Sequence, residues 1–223
     1  MVQSDIVNEV EARIHRDDKT ARIKTLINII LKKLSCSMLE DGTPVPLECL
    51  KKPDGSNTIT IADGDYKKAL PSDFIWLYDD PIIQYDTNKA HRMVKKPLYW
   101  FTENYPDISV DTSSKSRPYF YMIKNKTLYF APRSDDSYTI VLPYTFLHPD
   151  ISDDNSTIYF PDEWLDCIVN GVLWLLRDEL GDDAGATKHF NLFTAMARNF
   201  YLAEKRQAKM GVEEKPVIFH IDA

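Results

Sequence analysis

The stretch RPYFYMIKNKTLYFAPRSDDSYTIVLPYTFLHPDISDDNSTIYFPDEWLDCIVNGVLWLL, residues 117–176, changes its hydrophobic period from two to about 3.6 without a linker. Tyr119, Tyr121 and Ile123 alternate with Phe120 and Met122 up to the polar turn Lys124-Asn125-Lys126, and residues 127–130 return before Pro132. Ser134-Asp135-Asp136-Ser137 makes the next turn. Beyond it Tyr138, Ile140, Leu142 and Tyr144 share one face, Thr139 and Val141 the other, and Pro143 marks a sheet edge or exit. The pattern predicts a β-meander. It runs into a helix that Pro161 opens, Asp162 and Glu163 support at the positive end of the dipole, and Trp164, Leu165, Ile168, Val172, Leu175 and Leu176 bury along one stripe. Strands and helix are thereby expected in one folded unit.

Upstream, Ile6, Val7, Val10 and Ile14 give a short helix over residues 5–15 with Ser4 as its cap. A second helix, 20–35, carries Ile23, Leu26, Ile27, Ile30, Leu31 and Leu34 over a wide apolar arc and is expected to be buried against others. Gly and Pro punctuate a loop over 38–56, and residues 58–61, 74–78 and 82–85 read as strands between Asp-rich turns. Residues 98–104 read as a short helix. Downstream, Gly181 ends the 161–180 helix, Asp182 or Asp183 caps the next, and Phe190, Phe193, Met196, Phe200 and Tyr201 are its expected buried face to about Met210. The fold class that follows is α+β: a helical bundle made from the N- and C-terminal helices, 5–35 and 161–210, with an inserted antiparallel β-rich lobe over 57–146. Residues 1–210 form a single domain in this reading and 211–223 a C-terminal tail. Trp164 and Phe193 are expected in the core.

The 223 residues, 43% hydrophobic and 27% charged, have the balance of an ordinary soluble globular protein. No apolar run approaches the roughly 20 residues a membrane span needs, and the acidic start of the chain is unlike a signal peptide. The expectation is a protein that stays in the cytosol where it is made. Cys36, Cys49 and Cys167 have neither disulfide nor zinc spacing and are read as reduced and mostly buried. The net charge is −7, and residues 57–186 hold 12 Lys and Arg against 21 Asp and Glu, so the acid is expected on the β-containing middle. That balance argues against a grip on nucleic acid, which depends on cations that neutralise phosphates.

The chemistry-bearing motifs are absent. His15, His91, His148, His189 and His220 show no i,i+4 pair, and the glycines make neither a GxGxxG nor a GxxxxGK[ST] loop. No GxSxG elbow occurs. No metal, cofactor or catalytic residue is therefore expected, and the protein is read as a non-enzyme. The five Asp pairs, starting at Asp17, Asp79, Asp135, Asp153 and Asp182, fall at turns or helix starts, where a carboxylate accepts backbone N–H bonds. The crowd of aromatics in the middle is read as cross-strand core, with an aromatic-rich carbohydrate- or peptide-binding module as the alternative. A hydrolase without a visible motif is a further class. The tail resists these readings: Pro216, Val217, Ile218, Phe219 and Ile221 form a strand-like apolar segment whose exposure would be unfavourable without a partner. It either folds back on its own domain or adds to another protein.

Taken in order, TLINIILKKL (25–34), TITIADGDYKKALPSDFIWL (58–77), RPYFYMIKNKTLYFAP (117–132), YTIVLPYTFLHPDIS (138–152) and FPDEWLDCIVNGVLWLL (160–176) resemble the head-to-tail adaptor, or connector, proteins of tailed bacteriophages. KKA between Tyr66 and Leu70 departs from the family pattern, being longer and more polar than the usual step into the Leu-Pro pair, and the tail has no match in it. The resemblance implies a non-catalytic virion protein of the neck, made in the host cytoplasm. Such adaptors form a ring of about twelve copies beneath the portal protein, join it to tail or neck proteins and extend a channel through which DNA passes without sequence-specific binding. By position in that family, Pro216, Val217, Ile218, Phe219 and Ile221 would be the portal contact.

Overall fold

The computed structural model of the chain describes residues 1–39, 42–53, 55–86, 89–106, 108–109 and 115–213, with side chains to residue 207. It folds as two compact units, one made of Met1–Leu50 with His148–Ala223 and the other of Lys51–Leu147. The element order is α+β, with helices from both ends of the chain flanking a strand-rich middle.

The helical unit is built on α2 (Thr20–Ser35), α4 (Leu165–Glu179) and α5 (Asp183–Glu213), with α1 (Gln3–Ile14) against α2 and α4. The apolar arc of α2 is fully used: Ile23, Leu26, Ile27, Ile30, Leu31 and Leu34 are all buried. In α4 the buried set is wider than the predicted stripe, because Cys167, Val169 and Leu173 join Ile168, Val172 and Leu176. A helix buried this far round has neighbours on several sides. At Gly171 they come closest: an added Cβ would lie 2.9 Å from Phe193 Cδ2 and 3.0 Å from two Ile30 carbons. Trp164, at the head of α4 in a 3-10 turn (Asp162–Trp164), stacks on Phe200 at 4.4 Å and packs on Phe160 at 5.0 Å.

Several helix ends differ from expectation. Ser4 is not the cap of α1. The helix starts two residues earlier, at Gln3, where the Val2 N–H donates to the Asp5 carboxylate at 2.8 Å. Gly181, with φ of 74°, ends α4 in the left-handed conformation that glycine adopts without strain, and Asp182 Oδ1 caps α5 by accepting the Gly185 N–H at 2.9 Å. Helix α5 continues through Gly211 to Glu213 rather than ending at Met210.

Acids of the segment that leads into α4 and of α4 itself pair with the N-terminal helices. Lys32 pairs with Asp150, Lys24 with Asp154, Arg13 with Asp166 and Arg22 with Glu179. In sequence terms this moves the charge. Lys51–Leu147 carries 13 basic and 12 acidic residues, whereas the helical unit carries 14 and 22, so the acid lies on the helical unit and not on the β-containing middle. The acidic run of residues 150–183, which precedes Ala186, belongs to the helical unit and not to the strands.

Among the described residues the strand-rich unit contains three sheets. The hairpin is as read: β7 (Phe120–Lys124) and β8 (Thr127–Ala131) pair in register through a two-residue turn, with Asn125 and Lys126 at φ of 51° and 54°. The meander stops there. β9 (Tyr138–Val141) crosses to a second sheet of order β1-β9-β4-β5, and β10 (Tyr144–Phe146) pairs with β3 (Phe74–Leu77). In that sheet β1 is Thr58–Ile61, β4 Ile82–Asp86 and β5 Lys89–Arg92, all antiparallel. The KKA departure forms β2 (Lys67–Ala69), an exposed edge strand paired with β8. On the other side β6 (Val94–Lys95) runs parallel to β7, one exception to the antiparallel expectation. The helix α3 (Leu98–Asn104) lays Phe101 and Trp100 against Met122 and Phe120.

The LPSDF run has a local job in this unit. Asp73 binds Lys52 Nζ at 2.8 Å and accepts the Tyr144 hydroxyl at 3.1 Å, while Phe74 packs on the Tyr144 ring at 5.5 Å. The segments by which the chain enters and leaves the unit are themselves bonded, Lys52 N–H to Tyr144 C=O at 3.0 Å and Lys51 bridged to Thr145.

His148 opens the return to the helical unit and is 1% exposed. Its Nε2 accepts the Tyr159 N–H at 3.2 Å, and its Nδ1 lies 2.8 Å from Pro149 C=O, so the ring is neutral with the proton on Nδ1. Burial holds its pKa below the ordinary histidine value, as it does for His91 and His189.

Two outcomes follow. Gly171→Val must push Ile30 or Phe193 aside and is expected to lower unfolding stability by about 1–3 kcal/mol. Gly171→Ala should cost less, because the gain in helix propensity of about 1 kcal/mol offsets part of the clash. Chemical denaturation midpoints at constant m-value check both. The second outcome concerns pH. Neutral His148, His91 and His189 bind protons only after unfolding, so their contribution is complete above the unfolded value near 6.5 and is lost as pH falls through their lower folded values. Melting temperature should therefore drop between pH 7 and 5, and His148→Gln should flatten that drop.

Candidate interaction surface

Among the described residues no group of three or more His, Cys, Asp or Glu side chains is arranged to hold a metal ion. Each Asp pair is committed elsewhere. Asp18 binds Arg16, which holds its carboxyl down to about 2, and Asp80 accepts the Tyr121 hydroxyl at 2.7 Å. Asp79 pairs with Arg92, Asp135 accepts from Tyr138, and Asp153 accepts the Asn155 N–H. Asp182, besides its cap, binds Arg177, and the two contacts hold its carboxyl below the ordinary value. Asp79, Asp136, Asp153 and Asp182 accept backbone N–H bonds, from Asp80, Ser137, Asn155 and Gly185, as the sequence pattern implied, whereas Asp18, Asp80 and Asp135 serve side chains instead.

The placement of the cysteines corrects one expectation. Cys167 is buried, Cys49 is half-buried and Cys36 is exposed. Burial raises the Cys167 and Cys49 thiols to about 12, far from the thiolate a nucleophile needs. The aromatics of the strand-rich unit are core only in part: most are half-buried, and Tyr99 and Tyr119 are exposed. Tyr121, Phe130 and Tyr144 are buried, Trp100 packs among Phe101, Tyr105 and Phe120, and Arg117 caps Tyr85 with its guanidinium carbon 3.5 Å from the ring centre. No helix among the described residues is long and apolar enough to cross a membrane.

The helical unit carries an open groove of about 560 Å3 where α2, α4 and α5 meet. Its floor is Trp174, Phe193, Ala197 and Tyr201, and Phe190 forms one end, 4.8 Å from the Trp174 ring. Met38, Leu39 and Cys36, just past α2, wall the other side. Tyr201 is tied there through its hydroxyl, which donates to Leu34 C=O at 3.3 Å. Lys33, 5.5 Å above the Trp174 ring, and Arg198 make the rim cationic.

Phe190 was expected on the buried face of α5, yet it is 42% exposed. Of the other residues expected on that face, Phe193 and Tyr201 are buried and Met196 and Phe200 half-buried, and Ala197, not among them, is buried as well. Phe190 lies at the edge of that face, beyond the cover that α4 supplies. The spread of apolar positions from Phe190 to Leu202 over more than one helix face was the available signal of a groove. Pro216, Val217, Ile218, Phe219 and Ile221, the residues selected from the sequence, lie outside the described residues.

No curated protein matches the chain. A family model does, from residue 3 to residue 213, which takes in all five helices and all ten strands described above. The ordered segments that resembled phage head-to-tail adaptors thus share one family match over almost their whole length, and the chain belongs to the SU10 adaptor protein family.

Proposed function

We propose that this protein is a structural component of the virion neck, assembling as a ring of about twelve copies that joins the portal to tail or neck proteins and extends the DNA channel. The observation that carries the reading is the family match over residues 3–213. A ring needs a heterologous interface, one surface of a subunit meeting a different surface of the next, and the two distinct compact units of this chain offer such unlike surfaces. A net charge of −7 suits a channel wall to which DNA does not adhere. Catalysis has no part in this role. Residues 1–210 act as one adaptor-like domain, and 211–223 form an appended tail.

Within this reading Pro216, Val217, Ile218, Phe219 and Ile221 are the portal contact. Burying each large apolar side chain contributes about 1.5–3 kcal/mol, enough to offset the entropy of ordering the segment. The protein is made in the host cytoplasm as free subunits, and ring closure follows contact with portal.

The test is a light-scattering mass of the protein alone and with purified portal. A ring mass is expected only with portal present. Deleting residues 215–223 should leave the circular dichroism of the helical fold intact while weakening portal binding and yielding heads without tails. Normal joining by the truncated protein would remove the tail from the interface, and no complex with portal in either form would overturn the adaptor reading itself.

A further inference from the structure

Positive charge in the strand-rich unit is gathered on one sheet. Of the unit's 13 basic residues nine lie in segments 66–71, 93–102 and 115–133, which supply β2, β6, β7, β8 and the start of α3, and these segments hold no Asp or Glu. Asp63 and Asp65, just outside them, pair with Lys115 and Lys68. Lys67, Lys96, Lys124 and Lys126 make no ion pair among the described residues. Three of these four share the face of the sheet that α3 covers. Lys67 stands opposite Tyr129 and Lys124 two residues beyond Met122, both of which pack with Phe101 of α3. Lys96 Nζ lies 5.2 and 5.5 Å from the ring centres of Trp100 and Phe120.

Among these cations the start of α3 exposes apolar surface, Leu98 at 47% and Tyr99 at 65%. Beside Leu98 is a pocket of about 260 Å3 whose wall includes Phe101, Tyr105, Met122, Tyr129 and Lys67. A surface both apolar and cationic selects an acidic partner that carries an apolar side chain. Phosphate alone would leave Leu98 and Tyr99 unmatched. Lysines on the β2 edge oppose addition of a further strand, so the partner is held through side chains.

The helical unit has a surface of that chemistry. Residues 178–183, DELGDD, join α4 to α5 with four acids and no cation, and Leu180 is 47% exposed among them. Glu179 and Asp182 are tied to Arg22 and Arg177, whereas Asp178 and Asp183 are exposed and make no ion pair among the described residues. We propose that the α4–α5 corner of one copy docks on the α3 face of the next, Leu180 entering the pocket beside Leu98 while Asp178 and Asp183 meet Lys67, Lys96 and Lys124. The two surfaces are unlike and lie on different units, so the contact is heterologous and each added copy presents the same pair again. The inference rests on the ring reading and names the surfaces its subunits use.

Disulfide trapping in the full chain, without portal, tests the contact because it captures encounters too brief to give a stable mass. In a Cys36→Ser background, Thr102→Cys is placed in one protein and Ala184→Cys in another, both at exposed positions that leave every proposed contact intact. Mixed under mild oxidation, the two are expected to give the mixed dimer several-fold above its statistical share. Lys67→Glu with Lys124→Glu in the first protein should remove that excess. Adding Asp178→Lys with Asp183→Lys to the second should restore it, which a misfolded variant would not allow. Dimers in statistical proportion, an excess unmoved by charge reversal, or a link of monomer mass when both cysteines are in one chain would each overturn the proposal. Binding of a labelled DNA duplex at physiological salt that the lysine reversals abolish would also overturn it, assigning the cations to phosphates. If trapping fails while the unchanged protein still gives a ring mass with portal, the interface alone is wrong; absence of that ring is failure of the adaptor reading.

Discussion

The close approach at Gly171 is the constraint on which the helical unit depends. A side chain there would overlap Ile30 of α2 and Phe193 of α5 at once, so the glycine lets three helices from distant parts of the sequence share one line of contact. A glycine inside a helix costs about 1 kcal/mol relative to alanine, and the packing it permits must exceed that. The burial of Ile30, Val172 and Leu173 around it shows where the return lies. The groove lies beside this contact, with Phe193, Trp174, Ala197 and Tyr201 lining it.

Charge acts on the same unit in a second layer. Lys24, Lys32, Arg13 and Arg22 face carboxylates of the segment between His148 and α4 and of α4 itself. Individually such exposed pairs contribute little, about 0–1 kcal/mol. Their arrangement matters more for register: cations spaced along α1 and α2 meet acids spaced along a chain that lies far away in sequence, and a slip of one turn would break all of them. Asn28 adds a pair of hydrogen bonds of the same kind, accepting from Ile151 N–H and donating to its C=O at 2.9 Å each.

Much of this architecture could be read from the chain, and what was hidden was hidden for physical reasons. Helices α2 and α4 are legible because a wide apolar arc has few other uses, and the hairpin is legible because Asn125 favours the positive φ its turn requires. Alternation in residues 138–144 correctly gave Ile140, Leu142 and Tyr144 a buried face. It could not say which strand they would meet, because pairing is decided by partners 60–80 residues away, β1 and β3. β5 and β6 carry no β pattern of their own and are strands only because β4 and β7 offer free edges. The groove was partly visible as apolar width on α5. Its openness was not, since periodicity reports which side of a helix is apolar and not how far a neighbour extends along it.

The insertion of the strand-rich unit between α2 and α4 has a consequence for synthesis. A ribosome adds roughly 5–20 residues per second. Helix α2 therefore emerges on the order of 10 s before α4, the helix that Ile30 needs, and α5 follows later still. During that interval the apolar arc of α2 has only α1 to cover it, while Lys51–Leu147 can complete its own sheets from strands already present. The nascent chain thus exposes one sticky helix, residues 20–35, until nearly all of the protein has been made.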